Sequence, residues 1–266
     1  MKINKDNIPA EDKELALSII NSIRNNNRCI GNPARALQIT LSELEEKKND
    51  VDLNPTTWLL KNRELEEQIA KIKAGIEGEK QLAEFLERLL KYDDKLKDLV
   101  AFASLSQELN NNDRDYIPDS DFMIVYNDRF LIVDAKNIST NPDVPIMLDG
   151  TCILTDAERP KLLLEGVHSS INVWSDYFNK NNIKYSSIDN IICIVNKSGA
   201  NITRSINTDN QLIHIATLHQ FLLGWIEMQV GSGIVQLRDL TQIAKCQVRK
   251  EHSGLDLADI RRKFGV

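Results

Sequence analysis

The sequence predicts an α/β fold, with a mixed central sheet flanked by helices, a helical arm before it and a short helical tail after it. Three observations carry this. FMIVY (Phe122 to Tyr126) and FLIV (Phe130 to Val133) are rich in β-branched and aromatic residues and flank a polar turn. IICIV (Ile191 to Val195) is a continuous apolar run that suits a buried strand, and it follows a long amphipathic helix. The first 90 residues repeat apolar side chains at threes and fours, the period of a helix.

The 266-residue chain holds one large domain or two small ones. With 42% hydrophobic and 27% charged residues its composition is globular, and the net charge of −6 excludes a global attraction to nucleic acid. No apolar run approaches the roughly 18 residues of a membrane span, and MKINKDNIPAEDKE lacks the apolar core of a secretory signal. A cytoplasmic protein is expected. Cys29, Cys152, Cys193 and Cys246 are scattered without zinc-ligand spacing and read as buried thiols. His168, His214, His219 and His252 form no cluster. There is no Gly-rich phosphate loop, no G-x-S-x-G and no H-E-x-x-H.

Residues 1–73 read as helices. Leu15, Ile19, Ile20 and Ile23 share one face; Asn25 to Asn27 and Gly31 end that helix. Asn32-Pro33 opens a second, with Ala34, Leu37, Leu41 and Leu44 in its stripe, and Asn54-Pro55 opens a third with Leu65, Ile69, Ile72 and Ile76. Narrow stripes and charged outer faces suit a hairpin or coiled-coil arm; a cap packed on the main domain fits equally well. Gly75 and Gly78 are expected to interrupt the third helix. GIEGEKQLAEFLERLLKY then buries Leu82, Ala83, Leu86 and Leu90, and Glu79 shares that face. Two readings of Glu79 stand: a functional carboxylate aimed inward, or an acidic residue in a helix's first turn.

LVAFASL (Leu99 to Leu105) reads as a strand, and QELNNNDRDYIPDS as a polar loop. The hairpin follows. With Asn127-Asp128 as its turn, Tyr126 faces Arg129 and Asp121 faces Asp134, on the face that carries Met123, Val125, Phe130 and Ile132. Lys136 follows on the same face. The other face, Phe122, Ile124, Leu131, Val133 and Ala135, is apolar too, so both are expected to be covered. Directly opposed side chains lie about 5 Å apart at Cβ. Two carboxylates that close call for compensation, which a divalent cation provides through hard oxygen ligands. A three-residue turn would shift the pairing and remove the opposition.

MLDGTCIL reads as a short strand or hairpin arm. A helix capped by Thr155 or Asp156, with Pro160 in its first turn, carries Leu164, Val167, Ile171, Trp174 and Phe178. His168 lies beside that stripe without an evident partner. Leu212 to Ala216 is a further strand, and Thr217 caps LHQFLLGWIEMQV. Residues 236–266 hold seven Lys or Arg against four Asp or Glu, and the clusters at 249–250 and 261–263 suit either phosphate contact or a solvated helix pair.

Three elements together resemble the nuclease-related domain (NERD) family of PD-(D/E)XK, restriction-endonuclease-like nucleases. G-I-E-G-E, ending at Glu79, is similar to that family's acidic helix signature. Asp121 before an apolar strand resembles its first metal-binding aspartate. D-A-K-N (Asp134 to Asn137) resembles its (D/E)-x-K-N element, with Asp where the family more often has Glu. The resemblance spans roughly residues 73–230, and implies a nuclease core over 74–230 between the helical arm (1–73) and a basic helical tail (231–266). Where the family often has a Gln near the start of the following helix, this chain has Arg159-Pro160-Lys161.

The resemblance implies a restriction-endonuclease-like core and a metal-dependent nuclease acting on nucleic acid, most of all DNA. Asp121, Asp134 and the Ala135 carbonyl would bind Mg²⁺ or Mn²⁺, and Glu79 would complete the shell directly or through water. Lys136 would orient or deprotonate the attacking water, or stabilise developing charge. The competing expectation is an inactive nuclease-like module that binds nucleic acid or protein, with the N-terminal helices as a surface for a partner or for self-association. A third treats Asp121 and Lys136 as a structural ion pair.

Overall fold

The computed structural model describes residues 3–5, 8–49, 55–106, 120–137, 147–148, 152–154, 161–162, 164–195, 206–208, 211–213, 218–228 and 235–247. Its elements, in chain order, are β1 (Ile3–Asn4), α1 (Lys13–Arg24), β2 (Cys29–Ile30), α2 (Arg35–Asn49), α3 (Pro55–Tyr92), β3 (Val100–Leu105), β4 (Ser120–Tyr126) and β5 (Arg129–Lys136). There follow β6 (Met147–Leu148), β7 (Cys152–Leu154), β8 (Lys161–Leu162), α4 (Leu164–Lys180) and β9 (Ser187–Ile194). The remainder is β10 (Ile206–Thr208), β11 (Gln211–Ile213), α5 (Leu218–Glu227), β12 (Val235–Gln236) and α6 (Leu237–Lys245).

The central sheet has five strands in the order β2-β3-β4-β5-β9, with β3, β4 and β5 antiparallel and both outer pairs parallel. The expected mixed sheet flanked by helices is therefore present. The β4–β5 register is the one the two-residue turn dictates: Tyr126 pairs with Arg129 and Phe122 with Val133, and Asn127 supplies a left-handed φ of 54°.

Both faces of the hairpin are covered, as its double apolar pattern requires. Met123, Val125, Phe130 and Ile132 pack with α1, α4 and α6, around Trp174 and Phe178. Phe122, Ile124, Leu131 and Val133 pack with the C-terminal half of α3 and with α5. Burying a large apolar side chain stabilises by about 1.5–3 kcal/mol, so these two layers dominate the fold. Cys29, Cys193 and Cys246 are free and buried, as expected, and burial pushes the Cys29 and Cys193 thiols up to about 12.

Several expectations need correction. The helix break at Gly75 and Gly78 is absent: α3 runs unbroken from Pro55 to Tyr92, so the boundary expected between residues 73 and 74 falls inside it. Each helical glycine costs about 1 kcal/mol against alanine. Buried residues on both sides outweigh this, Ile69 to Ile76 against α2 and Leu82 to Leu90 against the sheet. Only α2 and the N-terminal part of α3 form the expected hairpin, with surface ion pairs Lys48–Glu66 (2.8 Å) and Lys73–Glu45 (3.0 Å). α1 belongs instead to the sheet core, and β2 lies in the sheet itself.

The helix expected from Thr155 begins later, at Leu164. Lys161–Leu162 pairs with β7 as a strand. MLDGTCIL, expected as a single short strand or hairpin arm, instead contains two paired strands, β6 and β7. The C-terminal segment is not wholly a solvated tail. β12 pairs with β1, and α6 buries Leu237, Leu240 and Ile243 in the core. The basic clusters at 249–250 and 261–263 lie outside the described residues.

Long-range polar ties fix the layers. Arg129, 2% exposed, donates to the carbonyls of Trp225 and, at 3.0 Å, Met228, which are orphan acceptors at the C-terminal end of α5. Its guanidinium stacks 4.6 Å from the Trp225 ring, and Trp225 Nε1 donates to Asp189 at 2.7 Å. Lys245 Nζ meets the buried Asp12 carboxylate at 2.7 Å, tying α6 to the start of α1.

Asp239, in the first turn of α6, is pushed up to about 6 by burial, against an ordinary value of 3.8, with Arg238 opposing the rise. The folded chain thus binds this proton more tightly than the unfolded chain does. Its unfavourable contribution is absent below about pH 4 and grows as pH rises towards 6. Asp239→Asn is expected to gain thermal stability relative to the parent between pH 4 and pH 6, with the gain levelling off above. An equal difference in midpoint at pH 3.5 and pH 7 would refute this assignment.

Candidate active site at the open end of the hairpin

The site is built where the sheet's ladders stop. β3 and β4 pair at Ala103–Phe122 and again at Leu105–Ser120, and the intervening Ser104 takes a left-handed φ of 50°. Its Oγ accepts the Arg35 N–H at 3.0 Å, satisfying an orphan donor at the start of α2. The β4–β5 ladder ends at Phe122–Val133. Neither ladder includes Asp121. The opposition of Asp121 to Asp134 is thus one step beyond the last true pair, in the register expected.

Asp121 is 3% exposed, and its Oδ2 accepts the Ala135 N–H at 2.7 Å. The carboxylate therefore reaches into β5 beside Asp134, through a charge-assisted bond. Asp134, Ala135 and Lys136 are half-buried and continue the parallel pairing with β9, opposite Ile192, Cys193 and Ile194. Lys136 and Asp134 stand on alternate positions of that strand and so on the same face.

Glu79 arrives from the other side of the sheet. It is 4% exposed, on the stretch of α3 that packs Leu82 and Ala83 under β5. What brings this helix to the site is Gly78. A Cβ there would fall 2.8 Å from the Asn137 Cβ, so only glycine permits the approach. Asn137 completes the contact by donating from Nδ2 to the Ala74 carbonyl at 2.7 Å. The second glycine of G-I-E-G-E and the last residue of D-A-K-N are thus in contact. Gly78 and Asn137 were visible within the motifs, but their role as a clasp depends on a meeting of residues about 60 apart and has no local signal.

The structure brings Asp121 to the Asp134–Lys136 segment and brings the Glu79 helix to the end of β5. Among the described residues, no three His, Cys, Asp or Glu side chains are grouped closely enough to hold a metal ion. The carboxylates of Asp121 and Asp134 are hard-oxygen donors of the kind a divalent cation takes, although one buried thiol, Cys193, lies beside them on β9, opposite Ala135. The geometry shows the carboxylates at one end of the sheet, not a closed ligand cage. His168 lies on the part of α4 whose side chains are not described. Beside the site, Trp174 Nε1 donates to Ser120 Oγ at 2.7 Å, fixing α4 against the start of β4.

Two glycines make the clasp testable. Gly224 in α5 has open space around its absent Cβ, whereas Gly78 has Asn137. Gly224→Ala is expected to stabilise by about 0.5–1 kcal/mol, and Gly78→Ala to destabilise by about 1–3 kcal/mol through overpacking. Urea midpoints of the two variants should move in opposite directions; a parallel shift would rule out the close approach.

No protein-family model, no curated protein and no solved structure matches this chain.

Proposed function

We propose that this protein is a metal-dependent nuclease that hydrolyses phosphodiester bonds in nucleic acid, most of all DNA. The observation that carries the reading is the joint clasp at the end of β5. Asp121 holds the Ala135 amide, and Asn137 holds α3 at Gly78, next to Glu79. The order α3, β3, β4, β5, α4, β9 also agrees with a restriction-endonuclease-like core of the NERD type, and with the resemblance of G-I-E-G-E, Asp121 and D-A-K-N.

In this reading Asp121 and Asp134, with the Ala135 carbonyl, would hold Mg²⁺ or Mn²⁺, and Glu79 would join directly or through water. A cation bound there would supply Lewis-acid stabilisation of charge on the scissile phosphate and would make the attacking water more acidic. Lys136 presents its ammonium to the phosphate oxygens, where negative charge grows during attack, and orients the water by hydrogen bonding. Burial of Glu79 and Asp121 lowers the local dielectric and strengthens each of these interactions. The Asp121–Ala135 bond fixes the spacing of β4 and β5, and so the separation of the two aspartates.

A second reading is favoured by one specific observation. Asp121 commits an oxygen to a backbone amide, which a purely structural carboxylate at a strand end would also do. The protein would then be a nuclease-like module that binds nucleic acid or protein without cleaving it.

Cleavage of supercoiled, linear and single-stranded DNA, and of RNA, in Mg²⁺, Mn²⁺ or EDTA separates the two. The expected result is metal-dependent cleavage that EDTA abolishes and that falls at least a hundredfold, on the order of 3 kcal/mol of barrier, in Lys136→Ala and Asp134→Ala. Activity that survives in Asp134→Ala would sink the mechanism. Inactivity on every substrate, with no Mn²⁺ binding, would favour the module.

A further inference from the structure

The α2–α3 arm is attached to the sheet at two places, and each lies beside a carboxylate of the candidate site. On one side Arg35, the first residue of α2, donates its N–H to Ser104 Oγ at 3.0 Å. Ser104 stands in the gap of the β3–β4 ladder between the pairs Ala103–Phe122 and Leu105–Ser120, and Asp121 stands across the same gap. Its left-handed φ of 50° is a conformation that persists only where surrounding contacts hold it. On the other side α3 meets Asn137, which donates to the Ala74 carbonyl at 2.7 Å and stands against Gly78, the neighbour of Glu79.

The two attachments are linked twice. Through the sheet, Asp121 Oδ2 accepts the Ala135 N–H at 2.7 Å, on the strand that ends at Asn137. Through the arm, Ala34 and Leu37 at the start of α2 pack with Ile72 and Ile76 of α3, all four buried. The contacts close a ring that runs from α2 through Ser104, the β4–β5 ends and Asn137 to α3, and back to α2. Glu79 and Asp121 come from different elements of this ring, so their separation is set by what joins those elements. Along α3, Ile76 is the last residue packed against α2 and Leu82 the first packed beneath the sheet, with Glu79 between them. Because α3 is one continuous helix, a shift of its arm half is carried to Glu79 by the same rod.

We propose that the α2–α3 arm is a positioning element for the candidate site: its internal packing, anchored through Ser104 and Asn137, sets where Glu79 stands relative to Asp121. Ser104 and Asn137 are positioning residues, which act through the helices they hold and touch no substrate. The consequence for metal binding rests on the nuclease reading; the coupling of arm to site does not.

Hydrogen exchange and Mn²⁺ titration test this. Leu44 is 1% exposed and lies about 14 Å along α2 from Arg35, so Leu44→Ala opens the arm packing without touching the sheet. The Ala135 amide is expected to exchange on the order of tenfold faster in this variant, while the amides of Phe130 to Val133, in the middle of the same strand, keep their rates. Leu44→Met, which keeps the volume, is expected to match the parent, and Ser104→Ala, which removes the anchor of α2, to act as Leu44→Ala does. Where Leu44→Ala fails to fold, Ile69→Val makes a smaller cavity in the same packing and is expected to speed the same amide selectively. An unchanged Ala135 amide, or one that speeds only in step with Phe130 to Val133, overturns the coupling. In Mn²⁺ titration Leu44→Ala is expected to bind on the order of tenfold more weakly than the parent. Equal affinity beside a selectively faster Ala135 amide overturns the positioning of the carboxylates and leaves the nuclease reading standing. A parent that binds no Mn²⁺ overturns that reading, and the exchange comparison still decides the coupling.

Discussion

The register of β4 against β5 is the constraint on which the rest depends. Because side chains alternate with a period of two, a slip of β4 by one residue would turn Met123 and Val125 to the layer opposite Phe130 and Ile132. It would also separate Asp121 from the Ala135 amide. The register is held by a turn of only two residues, with Asn127 tolerating the left-handed conformation that such a turn requires. Both apolar layers then reinforce it, since each face of the hairpin has its own helices. Local turn chemistry and global packing point to the same pairing, which is what gives a sheet one structure rather than several.

Beyond the turn, the architecture is a balance between regularity and its local failure. The sheet is regular from Arg129 to Val133 and loses its ladder at Asp121, where Ser104 turns left-handed and a side chain replaces a strand pair. Polar residues collect at this end. Ser104 satisfies α2, Ser120 satisfies Trp174, Asn137 satisfies α3, and Asp121 satisfies β5. The buried interior of the sheet would reject such residues; its frayed end can use them, because backbone groups freed from the ladder need partners. A site for charged chemistry is most readily accommodated at such a place.

Much of this was legible in the sequence. The hairpin, its turn, its two apolar faces, the IICIV strand and the Ile171–Trp174–Phe178 stripe all announce themselves by short-range periodicity. The continuity of α3 was not legible, because two glycines argue locally for a break while contacts with α2 and with the sheet, remote in sequence, decide the matter. The placement of α1, β2 and α6 was hidden for a related reason. An amphipathic stripe shows that a helix has a buried face and says nothing of which partner covers it. Arg129 read as the flank of a turn, and its burial under Trp225 depends on a residue 96 positions away. Within the site, the charged residues stood out as anomalies in strands, while the contact between Gly78 and Asn137 had no local signal.

The Asp12–Lys245 contact joins residues 233 positions apart, and the layer beneath it is closed by α1 and α6 together. α4 covers Phe130 itself, but the rest of that sheet face is closed only when α6, near the end of the described chain, has docked. Such distant closures carry a large entropic barrier and slow folding relative to chains built from local contacts. During that delay the uncovered part of the face presents an apolar strand surface of the kind that invites wrong pairing between molecules. The polar clasp at the far end of β5 involves α3 and β3 to β5 alone, so it can form earlier, as the nucleus on which the late layer settles.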